Sequence, residues 1–359
     1  MDLVDVIGQI GRVDRRAMRE AESRQGRLTK PPGSLGRLEG LSVQMAGIFG
    51  SKRPIIRGKA LIVAAADHGV VAQNVTAYPQ AVTAQMVLNF LEGGAAVNVM
   101  ARKAGVDLVI VDAGVVAPLP THPGLRVLGV GGGTSDITQG PAMTREQAQT
   151  CVLAGIRLAL EAAEKGADII GGGDMGIGNT TASSAIVSAL TGKTARETTG
   201  RGTGRTDRQM DLKVQVVQRA LELNRPDPGD GLDVLAKVGG FEIGVLAGVI
   251  LGGAMARRVV ILDGFISGAA GLIARAMCLQ VRDYMVASHL SAEGGHRVVL
   301  SHLGLEPLLD LGMRLGEGTG AVLAMGLVEA AAACLAEMAT FEGARVSNKE
   351  GNGEGKEAC

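Results

Sequence analysis

Six short stretches of the chain are almost unbroken apolar runs: 60–66 (ALIVAAA), 107–112, 126–130, 168–171, 259–263 and 284–288. A strand covered on both faces has no polar side to show, so these runs predict strands of a parallel sheet. Between most of them, apolar residues recur at helical spacing, over 83–104, 144–165, 181–190 and 208–223. Alternating strands and helices predict an α/β fold with helices on both faces of the sheet. Ligands of such sheets sit beyond the carboxyl ends of the strands. The segments expected there are 67–69, 131–133, 171–179, 263–264 and 288–295.

The two chain ends read differently. Residues 12–25 form a charged helical pattern that Pro31, Pro32 and Gly33 break, and 35–49 carries Leu35, Leu38, Leu41, Met45 and Ile48 at helical spacing. Near the other end, 317–336 reads as a helix of small residues, and from 343 the chain is polar, Gly-rich and aperiodic, which predicts a disordered tail. The most apolar stretch, 243–256, is flanked by Glu242 and Arg257. It falls short of the roughly 20 residues a spanning helix needs and predicts a buried helix, with no membrane role.

Composition narrows the function. Lys plus Arg and Asp plus Glu both number 36, so no basic excess points to nucleic acid or an anionic membrane. Aromatics are 2% with no Trp, which removes stacking platforms for single strands. Glycine is the outlier, 54 of 359 residues, about twice its usual share. Without a Gly-X-Y period, the excess points to many close backbone approaches. The four cysteines, Cys151, Cys278, Cys334 and Cys359, stand apart and form no C-x-x-C pair. They predict neither a disulfide framework nor a zinc site and suit a reducing cytoplasm. The first residues place acids before bases and hold no long apolar run, so they do not read as a signal peptide.

Three glycine-rich segments could carry chemistry. The run 171–181 (GGGDMGIGNTT) follows a strand and opens a helix. It fits a phosphate cradle, because glycines and a helix N-terminus bring N–H groups to an anion, and it fits equally a tight turn needing glycine for sterics alone. The run 199–205 (TGRGTGR) has no clear preceding strand and reads first as a solvated basic loop. Around Glu317 the chain reads LGEGTG. A carboxylate wedged into tight backbone can lose solvation and become a useful base, or can simply favour a helix N-terminus. Of the five histidines, only His68, in Asp67-His68 at a strand end, is placed to touch a ligand.

Seven blocks in order resemble nicotinate-nucleotide–dimethylbenzimidazole phosphoribosyltransferases: 30–39 (KPPGSLGRLE), 66–70 (ADHGV), 175–181 (MGIGNTT), 237–241 (KVGGF), 262–265 (LDGF), 288–293 (SHLSAE) and 313–321 (MRLGEGTGA). The resemblance covers roughly residues 10–340. It implies a Rossmann-like body over 51–310, a small helical domain from 1–50 and 311–342, and the tail 343–359. It implies a homodimer that takes nicotinate mononucleotide and a benzimidazole-type base, releases nicotinate, and makes α-ribazole 5′-phosphate for the lower ligand of cobalamin, with no metal or organic cofactor. By motif position Glu317 is the implied general base, and Asp174 a second acid. Gly176, Gly178, Asn179, Thr180, Gly202 and Lys213 are the implied phosphate contacts. Asp263, Gly264, Ser291 and Ala292 are implied near the ribose and nicotinate, and Tyr78, Pro79, Met86 and Leu315 around the base. Two positions depart from the family: Asp174 stands where Glu is usual, and Tyr78 where some members carry a small polar residue.

Two other classes compete. A dinucleotide-dependent oxidoreductase needs a G-x-G-x-x-G turn after the first strand, which 64–69 does not offer. A non-catalytic nucleotide binder predicts a lost general base, whereas Glu317 is present.

Overall fold

The computed structural model describes residues 2–200 and 207–347. They divide into two compact units, Met1–Arg12 with Arg57–Gly326, and Val13–Ile56 with the chain from Leu327 on.

The larger unit is built on a sheet with six described strands, all parallel: β1 (Lys59–Ala66), β2 (Asp107–Gly114), β3 (Leu125–Val127), β4 (Ile169–Met175), β5 (Val259–Leu262) and β6 (Met285–Ala287). Their order is β3-β2-β1-β4-β5-β6. The chain starts mid-sheet, moves outward to β3, then returns to the other side of β1 at β4. That reversal opens a crevice beyond the carboxyl ends of β1 and β4, where open α/β sheets bind ligands. The expected α/β class therefore holds, and the apolar runs have their cause: Ala60 through Ala66 are all buried.

Glycine in a strand interior ordinarily weakens it, yet β4 reads IIGGGDM. A Cβ on Gly171 would lie 2.8 Å from Leu61 and from Met325, and one on Gly172 2.9 Å from Leu246. A Cβ on Gly173 would run into the backbone of Glu317 and stand 2.8 Å from the Gly318 nitrogen. Residues 171–173 thus belong to the strand, not to a loop; the bareness of Gly171 and Gly172 admits neighbouring side chains and that of Gly173 a second backbone. The loop proper starts only after Met175. Similar close approach joins the helices Arg145–Glu164 and Phe241–Met255, where a Cβ on Gly155 would come within 2.9 Å of the Gly248 Cα and the converse also holds. The second of these is the buried helix expected over 243–256.

Other expectations shift. The helical pattern 83–104 is two helices, Val82–Glu92 and Ala96–Ala104. Gly93, at φ 78°, ends the first, and Asn98 ties the break by donating to the Phe90 carbonyl at 2.9 Å. Strand β3 stops at Val127 because the chain turns at Gly129, φ 64°. The helices Leu3–Gln9, Gly231–Val238, Phe265–Met277 and His296–Leu303 were not foreseen. The first belongs to the larger unit, since Leu3, Val6 and Ile10 are buried and the Tyr284 hydroxyl donates to the Gly11 carbonyl at 2.9 Å.

In the smaller unit the helices Arg15–Gln25 and Arg37–Phe49 join the later part of Thr319–Glu337. Ala21, Val43, Ala46 and Leu335 form its core with Met18. Arg24 donates to the carbonyls of Leu335 (2.6 Å) and Met338 (2.8 Å), satisfying groups a helix C-terminus leaves open. Lys30 pairs with Glu39 at 2.6 Å, and Glu39 also accepts from the Leu35 N–H at 3.1 Å, so the 30–39 block is a stapled turn. The boundaries between the units fall at 12/13, 56/57 and 326/327, where the sequence placed them at 50/51 and 310/311. The tail expected from Gly343 starts inside a short helix, Phe341–Ala344, and 348–359 lie outside the described residues. Thr319–Glu337 is long and apolar enough to cross a membrane by length and composition, though more than half of it is buried within the protein.

Candidate active site

A cavity opens beyond the carboxyl ends of β4, β5 and β6. One wall is the exit of β4: Asp174, Met175, Gly176, Ile177 and Gly178 lead into the helix Asn179–Thr191. Gly178 takes φ 100°, a conformation that favours glycine. The loop packs closely on what lies beneath it. The end of β1 and the His68 ring lie under it: a Cβ on Gly176 would sit 2.5 Å from the Ala66 carbonyl oxygen and 3.4 Å from the ring. The Lys213 ammonium donates to the Thr180 hydroxyl at 2.8 Å. A buried cation beside the first turn of a helix is an anion site in both charge and N–H supply.

Three carboxyl groups converge on the other side. Asp174 accepts from the Asn179 amide at 2.9 Å. Burial, with the negative fields of Asp263, Glu242 and Glu317, pushes its pKa well above the carboxylate range despite that bond. Asp263 accepts from the Gly318 N–H (3.3 Å) and the Ala321 N–H (2.9 Å) at the start of the helix Thr319–Glu337. Burial raises it to about 7 against those bonds. Glu317 lies on the loop these bonds fix, with its own N–H donating to the Asp174 carbonyl at 3.3 Å. It is a non-glycine residue at φ 63°. Burial raises its pKa while the Val97 N–H opposes the shift, and its Oε2 has no partner among the described residues. Adjacent acids whose pKa values burial and mutual charge shift upward are a mark of acid–base sites.

The third wall follows β6. The Ser288 hydroxyl donates to the Asp263 carbonyl at 2.6 Å, and His289 stands 4.0 Å from the Asp263 carboxylate. The Ser291 N–H donates to Nδ1 of His296 at 2.9 Å, which leaves the ring proton on Nε2. Burial and then His289 push His296 down to about 3, so it is neutral.

The cavity collects Tyr78, Asp174, Gly176, Gly178, Asn179, Thr180, Lys213, Asp263, Gly264, Ser291 and Leu315 of the expected residues. Pro79, Met86 and Ala292 are not among its lining, and Glu317 enters only through its neighbours Leu315 and Gly316. Gly202 lies outside the described residues. His68, expected to touch a ligand, instead pairs with buried Glu242 at 2.6 Å and does not line the cavity. Sequence reasoning missed His289, Glu293 and Arg314, which do. The first two lie in the 288–293 block and Arg314 in 313–321, so block membership was their only signal.

Comparison with known proteins gives the family. A family model described as "Phosphoribosyltransferase" matches residues 10–346. The chain is 57% identical over 350 residues to a nicotinate-nucleotide–dimethylbenzimidazole phosphoribosyltransferase of Roseiflexus sp. (strain RS-1), covering 98% of this chain and 99% of that one. It is 49% identical over 351 residues to the protein so named in Dehalococcoides mccartyi (strain CBDB1), covering 98% and 100%. Among solved structures it is similar to the enzyme of that name from Thermus thermophilus, with TM-score 0.89 and 48% identity over 93% of this chain and 99% of that one.

Proposed function

The chain belongs to the nicotinate-nucleotide–dimethylbenzimidazole phosphoribosyltransferases, and on that premise we propose how its buried acids share the work. The enzyme transfers the phosphoribosyl group of nicotinate mononucleotide to 5,6-dimethylbenzimidazole, giving α-ribazole 5′-phosphate and nicotinate. The single observation that carries the assignment of roles is Glu317, a buried carboxylate with an unpaired oxygen, on backbone locked beside the cavity.

The 5′-phosphate binds at Gly176, Gly178, Asn179 and Thr180, neutralised by Lys213. Glu317 takes the N–H proton of the incoming base. The ring nitrogen's electron pair bonds C1′, the bond from C1′ to nicotinate breaks, and its electron pair neutralises the pyridinium. Entry and departure on opposite faces of the ribose invert β to α. Asp174 steers the loop and the substrate through Asn179 rather than accepting the proton. Asp263 fixes the start of the helix behind Glu317. Tyr78 and Leu315 form the wall toward the base. The same resemblance suggests a homodimer in the cytoplasm, and sedimentation measures the first.

Nicotinate release from nicotinate mononucleotide and dimethylbenzimidazole tests the proposal. Glu317→Gln keeps the shape without the base, and kcat is expected to fall about 10²–10⁴-fold with nucleotide binding nearly kept. Unchanged turnover would remove Glu317 from the role.

A further inference from the structure

We propose that Glu293 accepts hydrogen bonds from the ribose hydroxyls of the nucleotide, a role that rests on the phosphoribosyl-transfer reading above. Glu293 follows β6, is 7% exposed and lines the cavity. Its Oε2 is closed to water and has no partner among the described residues. A buried, unpaired carboxylate oxygen is costly, and a ligand group is one way to complete it.

The surroundings fix the backbone of this residue. The Glu293 N–H donates to the Ser291 hydroxyl at 3.3 Å, and its carbonyl accepts from the His296 N–H at 3.0 Å. His296 in turn holds the Ser291 N–H through Nδ1. Gly200 leaves the space that the carboxylate occupies, since a Cβ there would collide with Oε2.

Chemistry selects the ligand group. A carboxylate repels the phosphate, which has Lys213 and the helix start at Asn179. The base's N–H goes to Glu317. Between phosphate and ring the nucleotide offers only two hydrogen-bond donors, its 2′- and 3′-hydroxyls. Competing acceptors are engaged: Asp263 by the Gly318 and Ala321 N–H groups, and Asp174 by Asn179. Glu293 is the carboxylate left for the diol. Positive charge grows at C1′ as nicotinate departs, and a hydroxyl bonded to a carboxylate stabilises that charge more in the transition state than in the ground state. The contribution therefore falls mainly on kcat.

The experiment follows nicotinate release by the full chain with nicotinate mononucleotide and its 2′-deoxy and 3′-deoxy analogues. Wild type is expected to lose about 10²-fold or more in kcat/KM on at least one analogue, as sites built to bond a hydroxyl do. In Glu293→Gln, activity on the natural nucleotide falls and that discrimination shrinks to about threefold or less. Glu293→Ala is run beside it, with melting curves to show that each variant folds. A folded variant that is slow yet still rejects the deoxy analogues as wild type does overturns the proposal. So does a wild type indifferent to both hydroxyls. A wild type that releases no nicotinate from the natural nucleotide overturns the transfer reading itself, and this proposal with it.

Discussion

Glu317 works as a base only when ionised, and burial lifts its pKa above the ordinary glutamate range. Turnover should therefore rise with pH through that raised value and level off above it. The limb should vanish in Glu317→Gln. A kcat profile at saturating substrates checks this, and a limb that persists in the variant assigns it to another group. Burial and the neighbouring acids also push Asp174 well above its usual value, and its carboxyl is held by the Asn179 amide, which suits a positioning role. Asp174→Asn is expected to cost less kcat than Glu317→Gln, and the reverse order would exchange their roles. Glu317 and Asp174 were singled out by their place in the family's sequence blocks, not by their glycine neighbours alone. The His68–Glu242 pair was not, because it joins residues 174 positions apart that only the fold brings together.

The strands were legible because both faces of this sheet are covered, so burial leaves an unbroken apolar run. The glycines of β4 were misread, since glycine for a turn and glycine for a neighbouring backbone look alike in one dimension. The same ambiguity hides the seam between Arg145–Glu164 and Phe241–Met255. There, Gly248→Ala sets a Cβ against the Val152 carbonyl, with the Gly155 Cα at 2.9 Å. Backbone cannot move aside as a side chain can, so the loss is expected at about 1–3 kcal/mol or more. Gly326→Ala, in the exposed interior of Thr319–Glu337 with nothing within 4 Å, should instead gain up to about 1 kcal/mol. Urea unfolding of the two variants distinguishes them, and equal effects would mean the seam has slack.

Across the whole molecule, protonation links the site to stability. An unfolded histidine takes up its proton near pH 6.5, whereas His296 in the fold resists down to about 3. Between those values the unfolded chain binds more protons, so this residue's contribution to stability falls as pH falls. Asp263 acts oppositely. With its folded value at about 7, the native state keeps a proton that the unfolded chain has lost, and stability falls as pH rises from about 4 toward 7. Comparing wild type with His296→Gln isolates the first slope. The stability difference in favour of wild type should shrink below pH 6.5 by up to about 1.4 kcal/mol per pH unit. A difference that stays constant from pH 7 to 4.5 in urea melts would show that His296 is not held neutral.

Glu317 sits at φ 63°, where glycine is at ease and other residues pay on the order of 1 kcal/mol. Its backbone prefers glycine, which brings no carboxylate to accept a proton. Mutation there has a downhill direction, and it leads away from catalysis. A population of variants sorted only for survival at high temperature will therefore accumulate Glu317→Gly and lose activity at this codon. A population sorted for turnover has to hold the position against that drift.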